Sequence, residues 1–274
     1  MKRILVPTDF SKHAEEALKS AVQIAKKNGS EIFLLHLLEL PHQLHDAMTN
    51  GSSIPEVMLF IKKAHEKLQK IKEQPHLQGI TISTTVQFER AFDGILSFNK
   101  KNNIDLIVMG SSGSSGIEEM LIGSNTEKVV RLSDIPVLDV KKDLDTFNIK
   151  NIVFASDFTK EIKKPFLKMI EFANIFDANL ALVMICTPNS FKTTAIAEKT
   201  MKDFIADFEV KNYSINIYND SNIEKGIRNF TNTIGADLIG LCTHGRTGLS
   251  HFFNGSIGED LVNHSTKPVI TFKI

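Results

Sequence analysis

Short runs of apolar residues recur along the chain, each followed by a longer stretch in which apolar residues return every three or four positions. The short runs, bounded by Gly, Pro, Asn or Asp, predict strands, and the longer periodic stretches predict helices. In the first half strands are expected near 2–6, 31–38, 80–88, 104–109 and 136–140. In the second half they fall near 150–155, 179–186, 213–218, 236–242 and 268–273. The runs are rich in Ile, Leu and Val with little alternation, as in parallel strands covered by helices on both faces. Ser11 precedes a periodic run through Ala14, Leu18, Ala21 and Ala25, which predicts an N-capped amphipathic helix ending at Asn28-Gly29. Its counterpart starts near Thr159, but Pro165 lies too deep for that first turn, so the helix begins later or kinks there.

The alternation is written twice. Arg3-Ile-Leu-Val-Pro-Thr-Asp9-Phe-Ser11 is answered 148 residues later by Asn151-Ile-Val-Phe-Ala-Ser-Asp157-Phe-Thr159. Asp105-Leu-Ile-Val-Met-Gly110 is answered by Asp237-Leu-Ile-Gly-Leu-Cys242, and Gly123-Ser-Asn-Thr-Glu127 by Gly255-Ser-Ile-Gly-Glu259, both at an offset of 132. The change of offset places a 16-residue insertion in the first half, between its second and third strands. The expected organisation is therefore two α/β domains, 1–140 and 150–274, joined by a polar linker over 141–149.

Composition narrows the classes of partner. Lys plus Arg equals Asp plus Glu at 32 each, which gives no electrostatic reason to expect nucleic acid or an anionic membrane surface. Runs such as 32–38 and 104–109 are too short to span a bilayer, and the strand-like start MKRILVPTD lacks the parts of a signal peptide. Cys186 and Cys242 cannot build a disulfide framework, so a reducing cytoplasm is the expected compartment. His42 and His45 in the insertion have one nearby carboxylate, Asp46, and read as solvated loop residues rather than metal ligands. The following helix, with Lys62, Lys63, Lys67, Lys70 and Lys72 among glutamates, reads as a solvated face.

The chemistry gathers at Gly110-Ser-Ser-Gly113, followed nine residues later by Gly123-Ser124. Gly110 ends a strand, and loops at the carboxyl edge of a parallel sheet are where ligands collect. Ser124 opens a helical run, whose amino-terminal amides would suit an anion, and with Glu127 it forms a capping-box pattern repeated by Ser256 and Glu259. Glycines after strands and capping serines also occur without any ligand.

The spacing Gly-x2-Gly-x9-Gly-Ser resembles the ATP-binding signature of the universal stress protein family. Pro7-Thr-Asp9 after the first strand and Asp134-Ile-Pro136 before the last fit the same family. The resemblance covers nearly the whole chain, twice. It implies Rossmann-like, doubly wound domains, each with a five-stranded parallel sheet of order 3-2-1-4-5. Asp9 and the Gly110 loop would then face one crevice. The resemblance also implies a ligand, ATP or AMP with Mg, and places residues around it. Pro7 and Asp9 line the site, and the backbone at Leu37 meets the adenine. Met109, Gly110 and Gly113 flank the ribose and phosphates, while Gly123, Ser124, Asn125 and Thr126 hold the phosphate tail. Asp9 also reads as a simple turn former. In the second domain Asp157, Ile185, Gly245, Gly255 and Ser256 match, Arg246 adds positive charge, and Cys242 replaces the first glycine. In the implied strand order Cys186 and Cys242 stand roughly 9–10 Å apart, too far for a disulfide.

A nucleotide-binding stress sensor or regulator acting on a protein partner is the leading expectation. A slow ATPase or nucleotidyl-transfer enzyme, or a scaffold that binds no nucleotide, are the alternatives. The loop lacks the lysine of a Walker motif, and no nucleophile-and-base spacing stands out. The two domains are expected to pack as a pseudo-dimer of separate sheets through Val137–Val140 and Val269–Lys273, and the resemblance implies homodimers of the whole chain. If the Cys242 position needs positive φ, its side chain strains the loop. If not, it only crowds the ligand.

Overall fold

In the first half, β1 (Arg3–Pro7) lies between β2 (Glu31–Leu38) and β4 (Leu106–Ser111), with β3 (Ile82–Phe88) outside β2 and β5 (Val137–Lys141) outside β4. All these pairings are parallel, so the order is 3-2-1-4-5. The second half repeats it with β6 (Asn151–Ala155), β7 (Asn179–Cys186), β8 (Tyr213–Asn219), β9 (Leu238–Thr243) and β10 (Val269–Lys273). The alternation predicts parallel strands covered by helices, and the doubly wound order is the one the family resemblance implies. The computed structural model describes residues 1–39, 54–111, 124–141, 147–243, 261 and 264–274.

Seven helices connect and cover the strands among the described residues. They are α1 (Lys12–Asn28), α2 (Ile54–Lys72), α3 (Ala91–Asn102), α4 (Ser124–Leu132), α5 (Lys163–Phe176), α6 (Thr194–Ile205) and α7 (Ile223–Thr233). Helices α1, α2, α5 and α6 bury their apolar stripes in one core layer, and α3, α4 and α7 pack into the layer on the opposite face. The Ser11 hydroxyl accepts the Ala14 N–H at 3.2 Å to start α1, and Gly29 ends it in the left-handed conformation, φ 64°. In the second half a 3-10 turn, Lys160–Ile162, precedes α5, so Pro165 falls in the first turn of a helix that begins late.

The two halves were expected to keep separate sheets. Instead β5 and β10 pair antiparallel (Val269 opposite Asp139, Ile270 opposite Leu138, Thr271 opposite Val137), and all ten strands form one continuous mixed sheet. The reason is burial. Every residue of β5 and all but the last of β10 are buried, and peptide groups removed from water must find partners. The free edges fall to β3 and β8, whose polar residues Thr84, Gln87, Ser214 and Asn216 suit an edge. Of the stretch read as a linker, Lys141 extends β5, while Phe147 is buried against Phe176 with ring centroids 5.7 Å apart. The Phe147 N–H donates to Gln23 Oε1 of α1 at 2.9 Å, tying the connection to the first half.

Candidate functional site

The turn from β1 into α1 is built around a residue in an unfavourable conformation. Phe10 has φ 65°, and its counterpart Phe158 has φ 57°. For a residue with a β-carbon this costs roughly 1–2 kcal/mol. Local hydrogen bonds hold it: Thr8 Oγ1 accepts the Phe10 N–H at 3.1 Å, and Asp9 Oδ1 accepts the Ser11 N–H at 2.9 Å. The Phe10 ring lies 4.3 Å from that of His36, whose Nδ1 donates to the Thr8 carbonyl oxygen at 2.8 Å. The second half copies the device, with Ser156 Oγ accepting the Phe158 N–H at 3.1 Å and Asp157 Oδ1 the Thr159 N–H at 3.4 Å. Asp9 is therefore a turn former, and its carboxyl titrates below the ordinary value. Partial desolvation pulls it up, and hydrogen bonds from Ser11 outweigh that.

A cavity of about 380 Å³ opens at the carboxyl edge of the sheet, where β1 and β4 are neighbours. Seven of the residues named from the sequence line it: Pro7, Asp9, Leu37, Met109, Gly110, Asn125 and Thr126. They arrive from β1, the loop after it, β2, β4 and the first turn of α4. Leu35 and Leu37 of β2 and Ala91 and Ile95 of α3 form its apolar side, with Leu35 and Ile95 buried beneath the surface. Thr8, Ser11, His13 and Ser111 supply further polar lining. Gly113, Gly123 and the Ser124 side chain lie outside the described residues.

Two glycines shape this cavity. A β-carbon on Gly110 would lie 2.0 Å from the His13 carbonyl oxygen, so the amino end of α1 can approach β4 only over a residue without a side chain. Neither Gly110 nor Cys242 has a positive φ, which removes backbone strain as the reason for glycine there. Gly94 plays a similar part in α3: its β-carbon would meet Leu37 Cδ2 at 2.4 Å, and Gly226 repeats this against Ile185 Cγ2 at 2.5 Å. Ile185 thus packs on α7 as Leu37 packs on α3. Sequence reading missed Gly94, although the pair Gly94 and Gly226 keeps the 132-residue offset and was visible as a repeat.

Beneath Ser111 lies a buried polar trio. The Ser111 hydroxyl donates to Asp139 Oδ2 at 2.9 Å, Lys141 Nζ donates to Ser111 Oγ at 2.9 Å, and Lys141 and Asp139 form an ion pair. Burial pushes the Asp139 carboxyl above its ordinary value, against the pull of the Lys141 ammonium and the Ser111 hydroxyl. At the equivalent positions the second half has Thr243, Thr271 and Lys273, so the trio belongs to the first half alone.

In the second half Asp157 and Ile185 occupy the places of Asp9 and Leu37, while Gly245, Arg246, Gly255 and Ser256 lie outside the described residues. Cys242 and Cys186 are both free and buried, and burial pushes the Cys242 thiol above its ordinary value, against formation of a thiolate. His42 and His45 also lie outside the described residues. Among those described, no helix is long and apolar enough to cross a membrane.

The pattern of the universal stress protein family matches residues 1–141 and 215–273. A universal stress protein of Methanocaldococcus jannaschii is 34% identical over 142 residues, covering 52% of this chain and 82% of its own. A tandem-length relative from Synechocystis, also a universal stress protein, is 22% identical over 296 residues and covers all of both chains. Among solved structures, a universal stress protein from Archaeoglobus fulgidus superposes with a TM-score of 0.78 over 99% of this chain and 98% of its own, at 22% identity.

Proposed function

Because this chain belongs to the universal stress protein family, we propose that its first half (1–140) binds an adenine nucleotide, ATP or AMP, and acts as a stress-response sensor or regulator. The observation that carries this reading is the convergence of Pro7, Asp9, Leu37, Met109, Gly110, Asn125 and Thr126 on one cavity. Its two ends differ as the two ends of a nucleotide do. The apolar side formed by Leu37 and Ala91 over buried Leu35 and Ile95 suits the face of a base, and the first turn of α4, with Asn125 and Thr126, offers amides and a dipole to phosphate. Thr8 and Asp9 also line the cavity and can accept from ribose hydroxyls.

No Lys or Arg lines the cavity among the described residues, so phosphate charge falls to the helix dipole, backbone amides and an accompanying cation. Mg, a hard cation that prefers oxygen ligands, would find its protein carboxylate in Asp9. The second half (150–274) is the weaker site in this reading, since Cys242 stands where the first half has Gly110. The segment 141–149 joins two halves that act as an intramolecular pair in a cytoplasmic protein, with homodimers of the whole chain built upon it.

Mass spectrometry of small molecules released from freshly purified protein should find adenine nucleotide. Titration calorimetry of the stripped protein should show ATP or AMP binding, and no heat at millimolar nucleotide would overturn the reading. Steady-state phosphate release should stay slow, and rapid turnover would make the protein an ATPase instead.

A further inference from the structure

The Phe10 side of the same turn borders a second cavity, of about 210 Å³, between α1 and α2. Its apolar wall is Phe10, Ala14, Leu18 and Ile71, and Lys67 and Lys70 stand at its rim. The second half provides an internal control, because it folds the same unit and fills this place. Ala14 and Leu18 are replaced there by Ile162 and Phe166, which are 2% and 0% exposed. The Phe166 ring packs against Phe204 at 5.2 Å and Phe208 at 5.0 Å, and Phe158 packs against Phe204 at 5.4 Å. In the first half the facing helix presents Lys67, Lys70 and Ile71 instead of aromatic rings. Phe10 stays partly exposed where Phe158 is buried.

We infer that this cavity is a ligand site for a small apolar monocarboxylate. The apolar wall would take the hydrocarbon body, and the two lysines would take the anionic head. Lys67 Nζ lies 4.8 Å from the Phe10 ring centroid, so its ammonium is already drawn over the cavity wall. Glu15, the acid on the lining, shares Lys19 with Glu16 at 3.1 and 2.8 Å, and Lys67 and Lys70 outweigh its charge on the lining. A cavity left open and edged with positive charge in one copy of a duplicated unit, and closed by aromatic rings in the other, distinguishes a binding site from ordinary imperfect packing.

Calorimetric titration of the full-length protein with octanoate should give saturable binding, with 1-octanol and octylamine at least roughly tenfold weaker. Leu18→Phe, which installs the second half's ring, should lower octanoate affinity by roughly tenfold or more, and so should Lys67→Ala combined with Lys70→Ala. Both lysines are exposed, so the double variant should melt with the wild type and decides the matter if Leu18→Phe does not fold. Absence of octanoate binding to wild type, equal binding of 1-octanol, or unchanged affinity in the lysine variant would overturn the inference.

Discussion

The carbonyl oxygen of His13 sits 2.0 Å from where a β-carbon on Gly110 would have to be, so the amino end of α1 rests directly on the backbone of β4. Adding a single methyl there must push α1 outward. Gly110→Ala should therefore cost about 1–3 kcal/mol of stability, the range for overpacking a filled site. It should also weaken nucleotide binding, because His13 and Ala14 line the same cavity. Urea denaturation and calorimetry measure the two effects, and a neutral result in both would mean that the helix end yields freely.

Asp9 should leave a signature in pH. Its carboxyl is held below its ordinary value in the folded chain, where hydrogen bonds from Ser11 outweigh desolvation. A depressed carboxyl stabilises the fold above its unfolded value, and the contribution is lost as pH falls through the lower folded value. The stability gap between wild type and Asp9→Asn should be largest near neutrality and close only below about pH 4. Denaturation curves recorded from about pH 2.5 to 7 would show it. A gap independent of pH would assign the effect to packing.

The Asp139–Lys141 pair should behave as a buried ion pair. Removing either charge alone, by Asp139→Leu or Lys141→Met, leaves the other uncompensated and should cost about 3–5 kcal/mol. The double variant should recover most of that loss, which a denaturation cycle over the four proteins would read. Burial raises the Asp139 carboxyl, so its contribution favours folding below the unfolded value and is lost as pH rises through the folded one.

The proposed nucleotide sites should be unequal. Gly113→Val should abolish the tight phase of an ATP titration, and Gly245→Val should spare it. Ser124→Ala should weaken binding roughly 10- to 150-fold, the loss of one hydrogen bond to a charged acceptor. Loss of the tight phase in Gly245→Val alone would give the decisive role to the loop of Arg246.

Local rules made much of this protein legible from its sequence. Apolar runs of a few residues located all ten strands, because a strand covered on both faces cannot avoid being apolar. Ser11 and Gly29 marked the ends of α1, because a helix leaves amides and carbonyls that only certain residues can satisfy. The duplication was legible because Asp9 and Asp157, and Gly110 and Cys242, occupy equivalent strand ends. What could not be read were relations between residues that the chain brings together from a distance. That Gly110 is required by His13, rather than by its own backbone angles, depends on how closely α1 settles on β4. That Gly94 must lack a side chain depends on Leu37, which packs onto it from another element. The joining of two sheets into one was decided by the burial of β5 and β10, which obliges their peptide groups to bond to each other. Periodicity is written by each element's own surroundings. Steric fit between elements is set only when the whole chain has packed.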